Sequence, residues 1–551
     1  MTIPIPHTTT IRLDEALGDP FCPRNPHGAD AILYSDECAQ LPLATYELLT
    51  SLGLQRLFVP PNLADIPSLI RTLTPVFARD IGLGLSIVVS TLTAALPVWH
   101  SGDGHQRRRL SELILTGEHI TIASHQINCE SNVTVNEVCA VAAPGGYRLS
   151  GRNELVNNAG LASTAIVLAR TSDHPEIRHS MFLADLSNTR RLGRLRTTAL
   201  RTTEFSGLEF TDHPVRDTDL IGAEGQATDI ALKCFQVSRI VLAGAGLGPV
   251  DLAVHLAACF ARQRVLYGRR VDQIPHARMN LAIAQSLLLA VETAVMGAAA
   301  SLHTSQQHAE AQAAAVHYIA PLLLEYAMEH LAVILGARFY LRTGPFALFG
   351  KHYRDLAPMG ISHASSVSSL LELLPKSRGL LRKVQTATQP TTTPTRLPEL
   401  DLSRLMLHSG APDPIVAWIP QATPLLDAQA KDVAEDEARS LERLRTGAEM
   451  LSATDIGATA SPAAFDIAEQ FTKRFVVGTA LATRESNRNE FTDAWVRIAI
   501  AAINAHGRSF PTVDQGDVDV VMHQISDRLT SSRSFLLEGH GVSRSIPHLS
   551  T

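Results

Sequence analysis

Residues Gly146–Gly160 read GYRLSGRNELVNNAG. A Gly-Gly start, an alternating run and a Ser-Gly turn predict two short paired strands with a tight connection. The same character extends outward over residues 119–222, where Val, Ile and Thr rise and Gly/Pro/Asn turns recur. Upstream, RRRLSELILTGE (107–118) places Leu110, Leu113 and Ile114 on one helical face, and Gly117 stops it. Downstream, ATDIALKCFQVSRIVLAGAGLGPVDLAVHLAACFARQRVL (227–266) returns to a helical period, followed by Gln285–Ala300 and Ala309–Leu335. Helices, then strands, then helices is not the order of an alternating α/β chain. It predicts an α+β protein with a small sheet inserted between helical bundles.

Thr386–Pro398, TATQPTTTPTRLP, lacks any period and reads as an extended, exposed linker. Helical patterning resumes beyond it, in DAQAKDVAEDEARSLERLRTGAEML, PAAFDIAEQFTKRFVVGTALA and EFTDAWVRIAIAAINAHG. The expected domains are therefore 1–118 (helical), 119–226 (β), 227–385 (helical bundle), a linker at 386–400 and 401–551 (helical).

The 551 residues are 45% hydrophobic and 19% charged, the balance of an ordered globular chain, with a net charge of −6 that argues against a dedicated nucleic-acid surface. The short arginine clusters, Arg107–Arg109 and Arg190–Arg196, read as solvated faces. Six cysteines without a C-x-x-C pair fit reduced thiols in a cytoplasmic protein. No charged start and apolar core of a secretory signal is visible. Residues 281–300, LAIAQSLLLAVETAVMGAAA, contain Gln285 and Glu292. A buried or interface helix is expected there rather than a membrane span. GAGLG (244–248) lies within a helical pattern, so it is not a dinucleotide fingerprint. No H-E-x-x-H, GxxxxGK[ST] or G-x-S-x-G motif occurs.

Several blocks stand in one order: GDGHQRRRLSELILTGE (102–118), ASHQINCESN (123–132), ELVNN (154–158), GLEFTDHPVRDTDLIGAEGQ (207–226), SRIVLAGAGLG (238–248), ARQRVLYGRRV (261–271) and ILGARFYLRTGPFALFGKHYRDL (334–356). Together they resemble the acyl-CoA dehydrogenase family of flavoproteins. The resemblance implies an N-terminal helical domain, a middle β-domain and a C-terminal four-helix bundle, here with an extra all-α domain. It implies non-covalent FAD between β-domain and bundle, an acyl-CoA or acyl-carrier-protein substrate, and a homodimer or homotetramer.

The resemblance also assigns residues. Ser124, His125 and Ser131 fall in the loop that holds the flavin edge and a phosphate. Leu155 stands where the family stacks an aromatic on the flavin, and Asn157 where it donates a hydroxyl, a task an amide can share. Arg264 and Tyr267 match Arg-x-x-Phe/Tyr-Gly, whose guanidinium reaches the dinucleotide of a neighbouring subunit. Gly336 stands at the Gly-Gly of a helix end, and Ser365 at a Thr over the flavin. Arg239 matches the Arg near the active-site mouth. Arg354-Asp355 fits the family's Arg-Asp; read by itself it is a surface ion pair worth about 0–1 kcal/mol.

The family's usual carboxylate base is missing from both of its places. His363 stands eight residues beyond Asp355, and Ser238 stands before Arg239. Imidazole titrates near neutrality, which makes His363 the candidate base. Two other readings stay open. One is flavin chemistry of a monooxygenase type; the other is a non-catalytic acyl-binding or partner subunit.

Overall fold

The computed structural model describes residues 8–547, except 125–135, 175–177, 361–365, 386, 391–395, 408–409, 423–430, 453 and 488–491. The N-terminal helices are α1 (Thr8–Leu17), α2 (Ala29–Glu37), α3 (Leu43–Ser51), α4 (Ile66–Arg79), α5 (Ile81–Gly84), α6 (Ser90–Ser101) and α7 (Gly104–Leu115). A π-turn, Leu85–Val89, joins α5 to α6. Helix α7 starts with a capping box between Asp103 and Gln106, and Leu110 and Ile114 are its buried face.

The strands are β1 (Ile120–Ala123), β2 (Cys139–Ala143), β3 (Gly146–Asn157), β4 (Thr164–Arg170), β5 (His179–Asp185), β6 (Arg190–Arg191), β7 (Phe205–Arg216) and β8 (Leu220–Ile221). They form one sheet in the order β6-β7-β3-β2-β4-β5-β8, with β1 parallel to β4. The deciding stretch differs from its expectation: Gly146–Asn157 is one strand, not two. Ser150–Gly151 is a bulge within β3, where the register with β7 shifts between Leu149 and Gly151. Gly151 has φ +133°, and a Cβ there would lie 2.7 Å from the Glu137 carbonyl oxygen. The hairpin turn is instead at Pro144–Gly145, before the strand.

Strands β4 and β5 are buried on both faces. Ala165, Val167, Ala169, Phe182 and Ala184 fill the inside of the sheet. Ile166, Leu168, Met181 and Leu183 face the main core shared with the helices. This double burial explains the near-continuous apolar runs of both strands.

The bundle consists of α8 (Ala227–Ala245), α9 (Leu247–Gln263), α10 (Pro275–Thr304) and α11 (Gln306–Leu335). A hairpin of β9 (Val265–Leu266) and β10 (Arg269–Arg270) links α9 to α10. Then come α12 (Ala347–Leu356), α13 (Ser366–Leu373) and α14 (Ser377–Leu381). The last domain holds α15 (Pro414–Ala422), α16 (Lys431–Met450), α17 (Pro462–Ser486), α18 (Asp493–Ala505) and α19 (Gln515–Thr530). Helix α17 packs on α10, α11 and α15, while α18 and α19 pack on α10. Helix α10 is therefore covered all round.

Four stretches are long and apolar enough to cross a membrane by length and composition: Ile81–Ser101, Ala227–Gln263, Pro275–Thr304 and Gln306–Tyr340. In this fold most of their surface is buried against neighbouring elements. Gln285 and Glu292 of α10 have partners in the C-terminal segment. Gln285 donates to the Phe535 carbonyl at 2.7 Å, and Glu292 accepts the Leu537 N–H at 2.7 Å.

Candidate active site

The end of β3 meets the π-turn. In a π-turn the backbone ladder slips by one residue and a carbonyl loses its helical donor. Two consecutive asparagines supply donors here. Asn157 Nδ2 reaches the Leu85 carbonyl at 3.1 Å, and Asn158 Nδ2 reaches that of Ser86 at 2.6 Å. Asn158 sits at φ +60° and donates its own N–H to the Glu204 carbonyl. Thr121 Oγ1 fixes the Asn157 carbonyl at 2.6 Å. Just before this anchor, Leu155 is 41% exposed while Val156 is 1% exposed. Ser124 is buried at the end of β1.

Helix α8 packs against the π-turn and against β5. It carries Arg239, whose side chain is 3% exposed and pairs with Glu372 of α13 at 2.7 Å. The guanidinium also lies 5.7 Å from the Phe235 ring centre. Ser238 is buried and donates to the Phe235 carbonyl. Glu372 was missed in the sequence. It had a signal: it is the sole acidic residue between Asp355 and Glu399. His363, Ser365, His125 and Ser131 lie outside the described residues.

Arg264, Tyr267 and Gly336 form a second group. Arg264 is exposed at the foot of the β9–β10 hairpin, and Tyr267 at its tip is 99% exposed. The turn Tyr267-Gly268 has φ +52° and +74°, the left-handed pair that a two-residue hairpin requires. Gly336 has φ +55° and ends α11 with no heavy atom near its missing Cβ. Asn280 and His330 meet at 2.6 Å, so the start of α10 and the end of α11 share one end of the bundle. Arg239 and Arg264 are on the nearly continuous α8–α9 run, on the order of 35 Å apart at 1.5 Å per residue. One protomer thus brings Ser124, Leu155 and Asn157 to one edge of the sheet, carries Arg239 on the helix that packs on the adjoining π-turn, and leaves Arg264, Tyr267 and Gly336 at a distant end.

Arg354-Asp355 departs from the surface pair expected of it. Asp355 is fully buried and joins Lys351 at 2.8 Å, and Lys351 also meets Asp80 at 2.7 Å. Arg354 grips Asp36 of α2 with both terminal nitrogens. The Leu200 N–H donates to Asp355 and Thr202 donates to Asp80. The network therefore ties α12 to the N-terminal helices and to the β-domain. Burial opposes the Lys351 charge, but Asp355 and Asp80 outweigh it and hold its pKa above the ordinary lysine value. Burial likewise opposes the Asp355 charge, yet Lys351 and Arg354 keep that carboxyl below its usual range. The adjacent His352 is pushed down to about 3, first by burial and then by Lys351, and its Nε2 donates to the Ala78 carbonyl. A cavity of about 600 Å³, walled by Phe339, Tyr340 and Tyr353, opens over Lys351 and Arg354.

The match to known proteins follows this geometry. Residues 225–363 match the family model described as acyl-CoA dehydrogenase, C-terminal domain. Over that stretch the chain is similar to the acyl-CoA dehydrogenase family. An acyl-CoA dehydrogenase of Bacillus subtilis is 26% identical over 216 residues, 38% of this chain and 56% of that protein. An L-prolyl-[peptidyl-carrier protein] dehydrogenase of Serratia sp. is 24% identical over 256 residues, 46% of this chain and 65% of that protein. The matches thus span between half and two thirds of the length of these two relatives. The solved butyryl-CoA dehydrogenase of Megasphaera elsdenii superposes with a TM-score of 0.61 at 19% identity, covering 67% of this chain and 98% of that one. The fold is accordingly that of the acyl-CoA dehydrogenases, with an additional helical domain.

Proposed function

We propose that this protein is a member of the acyl-CoA dehydrogenase family, an FAD-dependent oxidoreductase acting on the CH–CH group of an acyl thioester, carried on CoA or on a carrier protein. The observation that carries the reading is the meeting of β3, the π-turn and α8, with Leu155 open beside anchored Asn157. The fit to a flavin has a specific support: among the described residues, Asn157 Oδ1 and Asn158 Oδ1 are buried without a donor. The Asn157 amide nitrogen is used by Leu85, so Asn157 would meet an N–H of the cofactor through its oxygen.

Bound FAD would supply the acceptor for two electrons. Leu155 would pack beside its ring, with Ser124, His125, Ser131 and Ser365 around it. Arg264 and Tyr267 would serve the dinucleotide of a second protomer, which makes the enzyme a homo-oligomer. His363 would take the substrate α-proton, since both usual carboxylate places are vacant. Glu372 neutralises Arg239 and holds its planar fork in one orientation, as a bidentate-capable group requires. Free thiols at all five described cysteines support a reducing, cytoplasmic setting.

The test is direct. Purified protein is expected to show flavin absorption and to bleach anaerobically with butyryl-CoA. His363→Ala should slow bleaching by about 10²–10⁴-fold, the usual worth of a general base, while keeping its flavin. Unchanged bleaching removes His363 from the reaction.

A second reading, a non-catalytic partner subunit, is favoured by the internal commitments of Asn157 and Arg239. Colourless protein that takes up no added FAD would select it.

A further inference from the structure

The segment between β5 and β7 carries Arg190, Arg191, Arg194, Arg196 and Arg201 and no acidic residue between Asp185 and Glu204. Its arginines are mostly anchored through backbone carbonyls rather than neutralised by carboxylates. Arg191 donates to the Ala162 carbonyl at 2.7 Å. Arg194 donates to the carbonyls of Ala39, Arg201 and Thr203. Arg196 is exposed and has no ion pair or hydrogen bond among the described residues. Among the described residues, Arg190 pairs with Glu209, Arg201 lies 4.0 Å from Asp36, and Arg191 faces Glu204 and Asp185 without an ion pair. A guanidinium bonded to carbonyls keeps its full charge, so the strip is strongly positive on a chain of net charge −6.

The strip is also placed. Leu192 and Leu195 donate N–H groups to Gly207 and Phe205 of β7, which holds it alongside the sheet. Phe205 pairs in turn with Asn157 of β3. Two strand spacings, roughly 10 Å, therefore separate the strip from the proposed flavin contact. Its far end is pinned by Thr203 Oγ1 to the Gly82 carbonyl, just before the π-turn.

We propose that Arg190–Arg201 is the docking surface for an acidic acyl carrier protein, which delivers its thioester arm to the proposed flavin site beside Asn157. The inference rests on the thioester reading above. It selects the carrier because the positive charge from Arg190 to Arg196 is spread over about 20 Å of extended chain. That length matches a protein face bearing several carboxylates, whereas the phosphates of CoA need one compact site. Protection of an exposed sheet edge by charge would account for Arg190 and Arg191 on β6, but not for Arg194 and Arg196 beyond it.

The experiment compares Arg196→Glu and Arg194→Gln with wild type, using a butyryl-loaded acidic acyl carrier protein and butyryl-CoA. Flavin bleaching gives KM for each, and fluorescence anisotropy gives carrier affinity at low and high salt. Arg196→Glu should raise the KM and Kd for the carrier about tenfold or more and flatten their salt dependence, as loss of rim charge does. The KM for butyryl-CoA should stay within about twofold. Arg194→Gln should weaken the carrier in the same direction. Equal KM values for the carrier in all three proteins, or an equal rise for both substrates, would overturn the proposal. If wild type bleaches with neither substrate, the thioester reading fails by itself. Anisotropy then still judges the strip, and absent or salt-independent carrier binding rejects it.

Discussion

A carboxyl group deep in an apolar helix is costly unless it stays protonated or finds partners. Glu292 does both. Burial pushes it up to about 8, against the pull of the Leu537 N–H and of Arg71 and Arg528. An unfolded carboxyl titrates near 4.5. Between those values the folded protein holds a proton that the unfolded chain has lost. Stability from this group is therefore complete below about pH 4.5 and falls as pH rises towards 8, at up to about 1.4 kcal/mol per unit. Glu292→Gln keeps an acceptor for Leu537 and removes the titration. Its urea midpoint should match wild type near pH 5 and exceed it at pH 8. Parallel curves at both pH values would show that Glu292 is ionised throughout.

Three glycines in one helical run would ordinarily weaken it by about 1 kcal/mol each. Their use is close approach between elements. A Cβ at Gly248 would lie 2.3 Å from the Thr74 carbonyl oxygen and 2.8 Å from the Ala78 nitrogen, both backbone atoms of α4. One at Gly244 would lie 2.6 Å from Ile70, a side chain that can shift. Gly248→Ala should thus lower stability by about 1–3 kcal/mol, the cost of overpacking, despite its better helix propensity. Gly104→Ala is the control. Its nearest atom is the flexible Arg108 guanidinium at 3.5 Å, and its melting temperature should stay level or rise. A Gly248→Ala variant as stable as wild type would mean that α9 can slide away from α4.

Across the whole molecule, the C-terminal segment straps the last domain to the rest. Asp251 of α9 receives the Phe535 N–H, the Ser534 hydroxyl and the Arg544 guanidinium, the last at 2.6 Å. The His255 ring meets the Ser545 carbonyl, and the Ser543 N–H donates to Asp14. Residues 401–551 reach the bundle end that carries the β9–β10 hairpin, where Phe510 packs on His276 and His330 and Asp519 pairs with Arg278, while Arg264 and Tyr267 themselves stay exposed. Arg544→Ala would strand a buried carboxylate, at a cost of about 3–5 kcal/mol. Proteolysis should then clip the strap before the bundle is cut. Cleavage at the wild-type rate would show that the other anchors suffice.

The order of helices, sheet and helices could be read from periodicity, because the 3.6- and 2-residue repeats are local properties of the chain. So could the stop at Gly117 and the Tyr267-Gly268 turn, where backbone sterics act over a few residues. The single strand through Gly151 could not, because a bulge exists only against its partners, β2 and β7. Nor could the burial of Asp355, whose partners Lys351 and Arg354 reach on to Asp80 and Asp36, the latter pair 318 positions apart in sequence, and whose third partner is the Leu200 N–H of the β-domain. Arg239 was legible as a type at a position. Its neutralisation by Glu372 was not, since that pair joins two helices 133 residues apart. What the chain alone decides is which segments hide apolar surface and where they turn. Which charges meet once water is excluded depends on packing, and here the packing divides the sequence-assigned residues between the junction of β3 with the π-turn and a distant bundle end.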